Sequence, residues 1–291
     1  MKNNSKSIRR KSQLHIIWNK LSKNKSAVVG LIVAITLMFI AVFAGLIVNY
    51  EKEVINQNIS NRFQAYSKEH ILGTDMYGRD LLARIIYGAR LSMYIGTVSV
   101  LFSALFGLML GSVSAYYGGK TDNIIMRVMD ILQSLPQVML ALTIVAALGQ
   151  SNENIIIALS VSGIPAFTRI IRSSIISVRN MEYIEAAHSY ACSDFRIILK
   201  HILPNSIGPL IVQSTMSIGR NIMNVAGLSF VGLGVRPPLP EWGAMLSEAR
   251  QYMRYYPNIV IWPGIAIVVT VLAFNLLGDG LRDALDPRLR N

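Results

Sequence analysis

The chain reads as an all-α, polytopic membrane protein with six transmembrane helices, an N-terminal interfacial helix and a short cytoplasmic helix between the fourth and fifth spans. Three observations predict this class. Over 291 residues the mean hydropathy is +0.43 and only 15% of residues are charged, too apolar and too long for one soluble core. The apolar residues gather into runs of bilayer length separated by polar stretches. The net charge of +12 is concentrated at one end: Lys2, Lys6, Arg9, Arg10, Lys11, Lys20, Lys23 and Lys25 precede the first apolar run with no acidic residue among them. Such a leader anchors the N-terminus in the cytoplasm and argues against nucleic-acid binding, which needs a basic soluble face. Cys192 is the single cysteine, which excludes an internal disulfide, and no CxxC or other metal-ligand spacing occurs.

Each element follows from its residues. In the leader, residues 1–26, Leu14, Ile17, Trp18 and Leu21 recur at i, i+3, i+4 and i+7, so one face is apolar and the other basic. A helix lying on the inner leaflet is expected. The first span, 27–49, carries no charge and no small-x-small cleavage site follows it, so it is expected to stay in the membrane. Residues 50–90 balance Glu51, Glu53, Asp75 and Asp80 against Lys52, Arg62, Arg79, Arg84 and Arg90, as an extracytoplasmic loop with short helices would. The core of five further spans then occupies 91–291. The second span, Leu91–Tyr117, repeats small residues every four positions at Ser99, Ser103, Gly107, Gly111 and Ala115, a strip along which another helix approaches closely. Gly119-Lys120-Thr121 is not a phosphate loop, because Ser114 stands where that loop needs a glycine and a span precedes it. In the third span, Ile124–Leu148, Asp130 is near enough to the inner end to reach the interface, and Pro136 is expected to bend the helix. The fourth, Ile155–Val178, is marked at its inner end by Arg169 and Arg172.

A polar island follows at 181–205, too charged to cross a bilayer. Glu182 and Glu185 in its first turn and Arg196 and Lys200 in its last complement a helix dipole. One helix over 181–204 is expected, stopped by Pro204, with Asn205 capping whatever comes next. Ala186, Ala187, Ser189 and Ala191 leave room for a partner's groove, yet an ordinary amphipathic loop helix has the same composition. The fifth span, Ser206 to about Val235, sets Gln213, Ser217, Arg220, Asn221 and Asn224 along one stripe. Arg220, near mid-depth, is costly against lipid and is expected to face a watery interior or a carboxylate. The outer stretch 236–243 carries Pro237, Pro238, Pro240 and an interfacial tryptophan, Trp242. The sixth span, Ile259–Leu277, and the tail 278–291 return the chain to the cytoplasm, so both termini are inside.

At this point the residues carry a resemblance. Tyr183 to Asn205 resembles the cytoplasmic EAA loop of binding-protein-dependent ABC importer permeases. Four other segments are similar to the subfamily moving dipeptides, oligopeptides or nickel, in its second permease type. They are Leu72-Gly73-Thr74-Asp75 with Gly78-Arg79-Asp80 and Gly88 to Ser92, then Leu228 to Gly234, then Pro237-Pro238 through Trp242-Gly243, and finally Phe274 to Arg288. The resemblance implies the type I permease fold, with Glu185, Ala186, Ala187, Ser189, Ala191, Leu203 and Pro204 coupling to a cytoplasmic ATPase subunit. It also implies a second homologous permease chain, two ABC ATPase subunits that hold ATP and magnesium, an extracytoplasmic solute-binding protein and a bacterial inner membrane. No cofactor is implied in this chain. Glycine is usual where Ala191 stands, and a small residue near Arg220, so the sequence departs from the pattern at both. Gln213, Ser217, Arg220, Asn221 and Asn224 are the candidate passage lining, with Arg220 facing either solute or the partner permease.

Other classes fit poorly. An intramembrane enzyme needs a converging nucleophile and base, yet His15, His70, His188 and His201 all lie outside the spans. A self-sufficient secondary transporter needs paired ionisable residues and inverted repeats, and neither is visible. A permease that carries peptides is expected, with nickel or a metal chelate as the alternative solute.

Overall fold

The computed structural model describes residues 13–190 and 192–285. Lys2, Lys6, Arg9, Arg10, Lys11, Ala191 and the end of the tail, 286–291, lie outside the described residues. Helix α1, Gln13–Leu21, turns at Asn24 into α2, Lys25–Ile47, and Asn24 caps α2 by accepting the Ala27 amide at 3.2 Å. Small residues Ala27, Gly30, Ala34, Ala41 and Ala44 form the buried face of α2, while Ile32, Ile35, Phe39, Val42 and Leu46 are exposed, the distribution of a helix with lipid on one side.

The long helix α3, Leu81–Tyr117, has 37 residues, about 55 Å at 1.5 Å per residue. It begins ten residues before the expected Leu91. Asp80 caps it by accepting the Ala83 amide at 2.7 Å, and Arg84, a charge that reads as loop, is paired inside the protein. The ladder Ser99, Ser103, Gly107, Gly111 and Ala115 is buried. It packs on α6, Asn152–Arg179: the Ser103 hydroxyl donates to the Ser160 carbonyl at 2.8 Å. A Cβ at Gly111 would stand 2.7 Å from the Thr168 carbonyl, so only glycine permits this approach.

The third span is broken. Helix α4, Gly119–Gln133, and α5, Gln137–Leu148, meet at 84° around Pro136, which has no amide hydrogen to continue the ladder. Gly118, at φ +64°, makes the sharp reversal from α3 into α4. The inner half is tied to α6: the Arg172 guanidinium forks onto Asp122 with two bonds of 2.6 Å, and Arg169 reaches Asp130 at 2.6 Å. Asp130 is therefore exposed and paired.

The island 181–204 is not one helix. It divides into α7, Glu182–Ser189, α8, Asp194–Ile197, a wide π turn Ile198–Ile202, and α9, Leu203–Ser206. Pro204 does not end it, because proline fits the first turn of α9. Asn205 does not cap the next helix either; its side chain donates back to the His201 carbonyl at 2.8 Å. After a break at Ile207 comes α10, Gly208–Phe230. Trp242 opens α11, Trp242–Ala249, and is 1% exposed, so it is not an interfacial anchor. Its indole nitrogen donates to the Ile85 carbonyl at 3.0 Å, which satisfies the one polar atom burial would strand. The last helix, α12, runs Asn258–Leu285, eight residues past the expected end at Leu277, and carries the tail's first residues inward beneath α1 through contacts of Leu21, Ala27 and Ala284.

Four helices, α2, α3, α6 and α12, are long and apolar enough to cross a membrane, and the bent pair makes a fifth. Helix α10 has span length, 23 residues, but its polar stripe keeps it outside that set, so among the described residues length and composition alone mark four spans, or five with the bent pair, and α10 would be the sixth expected one.

Candidate functional site

Three regions carry the candidate residues. In the segment between α6 and α10, called the inner segment after its expected side, Ile184 and Ala187 of α7 turn toward the core and pack with Ile171, Ile175, Ile197, Ile202 and Leu210. Glu185, Ala186 and Ser189 face outward with Glu182, Tyr183 and Tyr190. Ala187 is 8% exposed, so the chain's own core takes the side expected to face a partner. Leu203 is half-buried and Pro204 exposed. The turn before Pro204 is wide, with the Leu203 amide donating five residues back to Ile198, a spacing that clears the proline ring from the ladder. Three polar ties fasten the segment to the span ends: Tyr116 donates to Asp194 at 2.7 Å, Arg179 to the Ala115 carbonyl at 2.6 Å, and Ser174 to the Ser206 carbonyl at 2.9 Å.

The polar stripe of α10 is divided between two duties. Ser217, Asn221 and Asn224 are buried. The Asn221 amide donates to the Ser99 hydroxyl on α3 at 3.0 Å, and Gln213 donates to Ser217 at 3.2 Å. Asn221 is thus a helix-to-helix tie. The Asn224 amide nitrogen has no partner among the described residues. Arg220 is exposed on the adjoining face and makes no ion pair among the described residues.

At the opposite end, the sequence concealed a buried charge cluster. Arg79 and Arg84 are each 1% exposed. Arg79 donates to Asp75 at 2.6 Å and to Glu248 at 2.8 Å, and Arg84 lies 3.5 Å from Asp75 and 3.4 Å from Glu248. Glu241 is completely buried at the N-terminus of α11, where it accepts the Gly243 and Ala244 amides at 2.9 and 2.8 Å and the Ser229 and Ser92 hydroxyls at 3.0 and 3.2 Å. Burial pushes its carboxyl above the ordinary carboxylate range, and the four hydrogen bonds pull the other way. The motif spacing around Asp75, Arg79 and Glu241 was visible in the sequence; the partner Glu248, 169 positions from Arg79, was not.

Residues 103–291 match the family described as binding-protein-dependent transport system inner membrane component, and residues 12–65 match the N-terminal transmembrane domain of oligopeptide transport permease C. The chain belongs to the inner-membrane components of binding-protein-dependent transport systems. The dipeptide transport system permease protein DppC of Alkalihalophilus pseudofirmus is 46% identical to this permease over 94% of the chain and 90% of the relative. The glutathione transport system permease protein GsiD of Pectobacterium atrosepticum is 42% identical over 94% of the chain and 91% of the relative. Among solved structures, the MetNI methionine ABC transporter in an inward-facing conformation superposes with a TM-score of 0.57 at 17% identity, covering 71% of this permease and 98% of that chain. An amino acid ABC transporter crystallised with histidines gives 0.53 at 16% identity over 68% and 92%. At these identities the likeness concerns the fold, which is the all-α ABC importer permease fold with several apolar helices.

Proposed function

We propose that this permease is one half of the translocation pathway of an ATP-driven peptide importer. The observation that carries the reading is 46% identity, over nearly the whole length, to a permease named for dipeptide transport, with glutathione, itself a tripeptide, naming the next relative. A nickel or metal-chelate cargo has no comparable support. The partners are a second homologous permease chain, two cytoplasmic ABC ATPase subunits that hold ATP and magnesium, and an extracytoplasmic solute-binding protein. The permease sits in a bacterial inner membrane with both termini in the cytoplasm.

The inner segment is the coupling element. Glu185, Ala186 and Ser189 form its outward docking face, and Ala187, Leu203 and Pro204 shape the support behind it; Ala191 is assigned to the coupling element by its place in the sequence alone. Reversing a pathway from 1:99 to 99:1 takes roughly 5.5 kcal/mol of differential binding. A hydrogen bond to solute supplies about 1 kcal/mol, so the ATPases must drive the change. Their motion enters through α7 and leaves through Tyr116, Arg179 and Ser206 to α3, α6 and α10. Gln213 and Arg220 face the passage, while Ser217, Asn221 and Asn224 set the helix that presents them. Co-expression with candidate ATPases, co-purification, and uptake of a panel of peptides and metal chelates into proteoliposomes test the reading. Peptide uptake dependent on ATP supports it; uptake of chelates alone refutes it.

A further inference from the structure

A cavity of about 110 Å³ opens at the end of the molecule opposite the coupling segment, where the last turns of α5 and α10 meet α11. Gln150, Ser229, Arg236, Pro237, Ser247 and Glu248 line it. It is somewhat smaller than the roughly 150 Å³ that takes a benzene ring, so it admits the end of a peptide and not the whole.

Its charge balance follows from the surrounding pairs. Asp75, Arg79, Arg84 and Glu248 cancel two against two. The carbonyls that end the helices are already occupied: Gly227 by the Val231 amide, Leu228 by Leu233, Ser229 by Gly232, and Leu148 and Gly149 by the Asn154 side chain. The charge left over is the Arg236 guanidinium. Its Nε donates to the Gln150 side-chain oxygen at 3.0 Å, and the Gln150 amide is held in turn by the Gly232 carbonyl. The exposed guanidinium is thus held at its Nε, with both Nη groups unengaged among the described residues. The Ser247 hydroxyl on the facing helix is likewise without a hydrogen-bond partner among them, and that of Ser229 is taken by Glu241. A guanidinium held at its Nε, a free hydroxyl lining the same cavity and one surplus positive charge describe a receptor for a carboxylate.

We propose that this cavity is an outer subsite for the terminal carboxylate of the carried peptide, with the Arg236 guanidinium and the Ser247 hydroxyl as its donors. The proposal rests on the peptide reading above. Neither donor belongs to the passage stripe of α10, so this subsite meets the solute before the passage does.

The test compares a free-acid peptide with its C-terminal amide in the assembled complex, supplied by the same binding protein throughout. Arg236→Gln is expected to raise KM for the acid about tenfold, the size of one charge-assisted hydrogen bond, and to leave KM for the amide unchanged. Equal effects on acid and amide, or no effect on either, overturn the subsite while peptide transport itself stands. Should the wild-type complex carry chelates and no peptide, the peptide reading fails first. A second measurement serves if Arg236→Gln does not assemble: in Ser247→Cys, the acid is expected to slow labelling by a membrane-impermeant maleimide and the amide is not. Identical labelling rates with both peptides overturn the proposal.

Discussion

The outer cap and the inner segment are built by opposite means. The cap buries four ionisable residues, Asp75, Arg79, Arg84 and Glu241, and with the half-buried Glu248 satisfies them from three distant stretches of chain. The segment buries aliphatic pegs, Ile184, Ile197 and Ile202, and leaves its charged residues facing out. A buried ion pair is worth little against an apolar replacement, but breaking one is expensive because the surviving charge is stranded. The cap is thus committed to one arrangement. The segment rests on non-directional apolar contacts, and its exposed polar face is the one proposed above to dock on an ATPase.

Substitutions can break that comparison. Glu248→Ala leaves the Arg79 and Arg84 guanidinia with Asp75 as their only carboxylate among the described residues; we expect a loss of about 3 to 5 kcal/mol, read as collapse of thermal stability in detergent. Ala187→Asp is the counterpart inside: it buries a carboxylate among isoleucines, and a destabilisation of about 2 to 4 kcal/mol is expected together with lost transport. Ala186→Asp, one position away but exposed, should keep the wild-type melting temperature while ATPase co-purification and uptake fall about tenfold, a difference of roughly 1.4 kcal/mol in docking. If both alanine variants melt like wild type, the division of α7 into an inward and an outward face is wrong. Asp130→Asn removes an exposed pair, and a change within about 1 kcal/mol is expected, too small to alter uptake.

Where local chemistry decides, the sequence was legible. The small-residue ladder of α3, the kink at Pro136 and the existence of a polar element between α6 and α10 all depend on residues close in the chain. Readings failed where a distant partner reverses a residue's usual preference. Arg84 looks like loop until Glu248 is beside it, and Trp242 looks interfacial until the Ile85 carbonyl receives its indole. Pro204 failed for a different reason: proline is equally at home after one helix and at the start of another, and only the wide turn before it distinguishes them.

Helix α3 touches both regions, since Arg84 is locked into the cap and Tyr116 holds Asp194 of the inner segment. A rod of about 55 Å that tips by 10° around its midpoint carries each end about 5 Å, and in opposite directions. On the coupling proposed above, opening at one mouth and closing at the other would be the two ends of a seesaw, with no signal relayed from residue to residue.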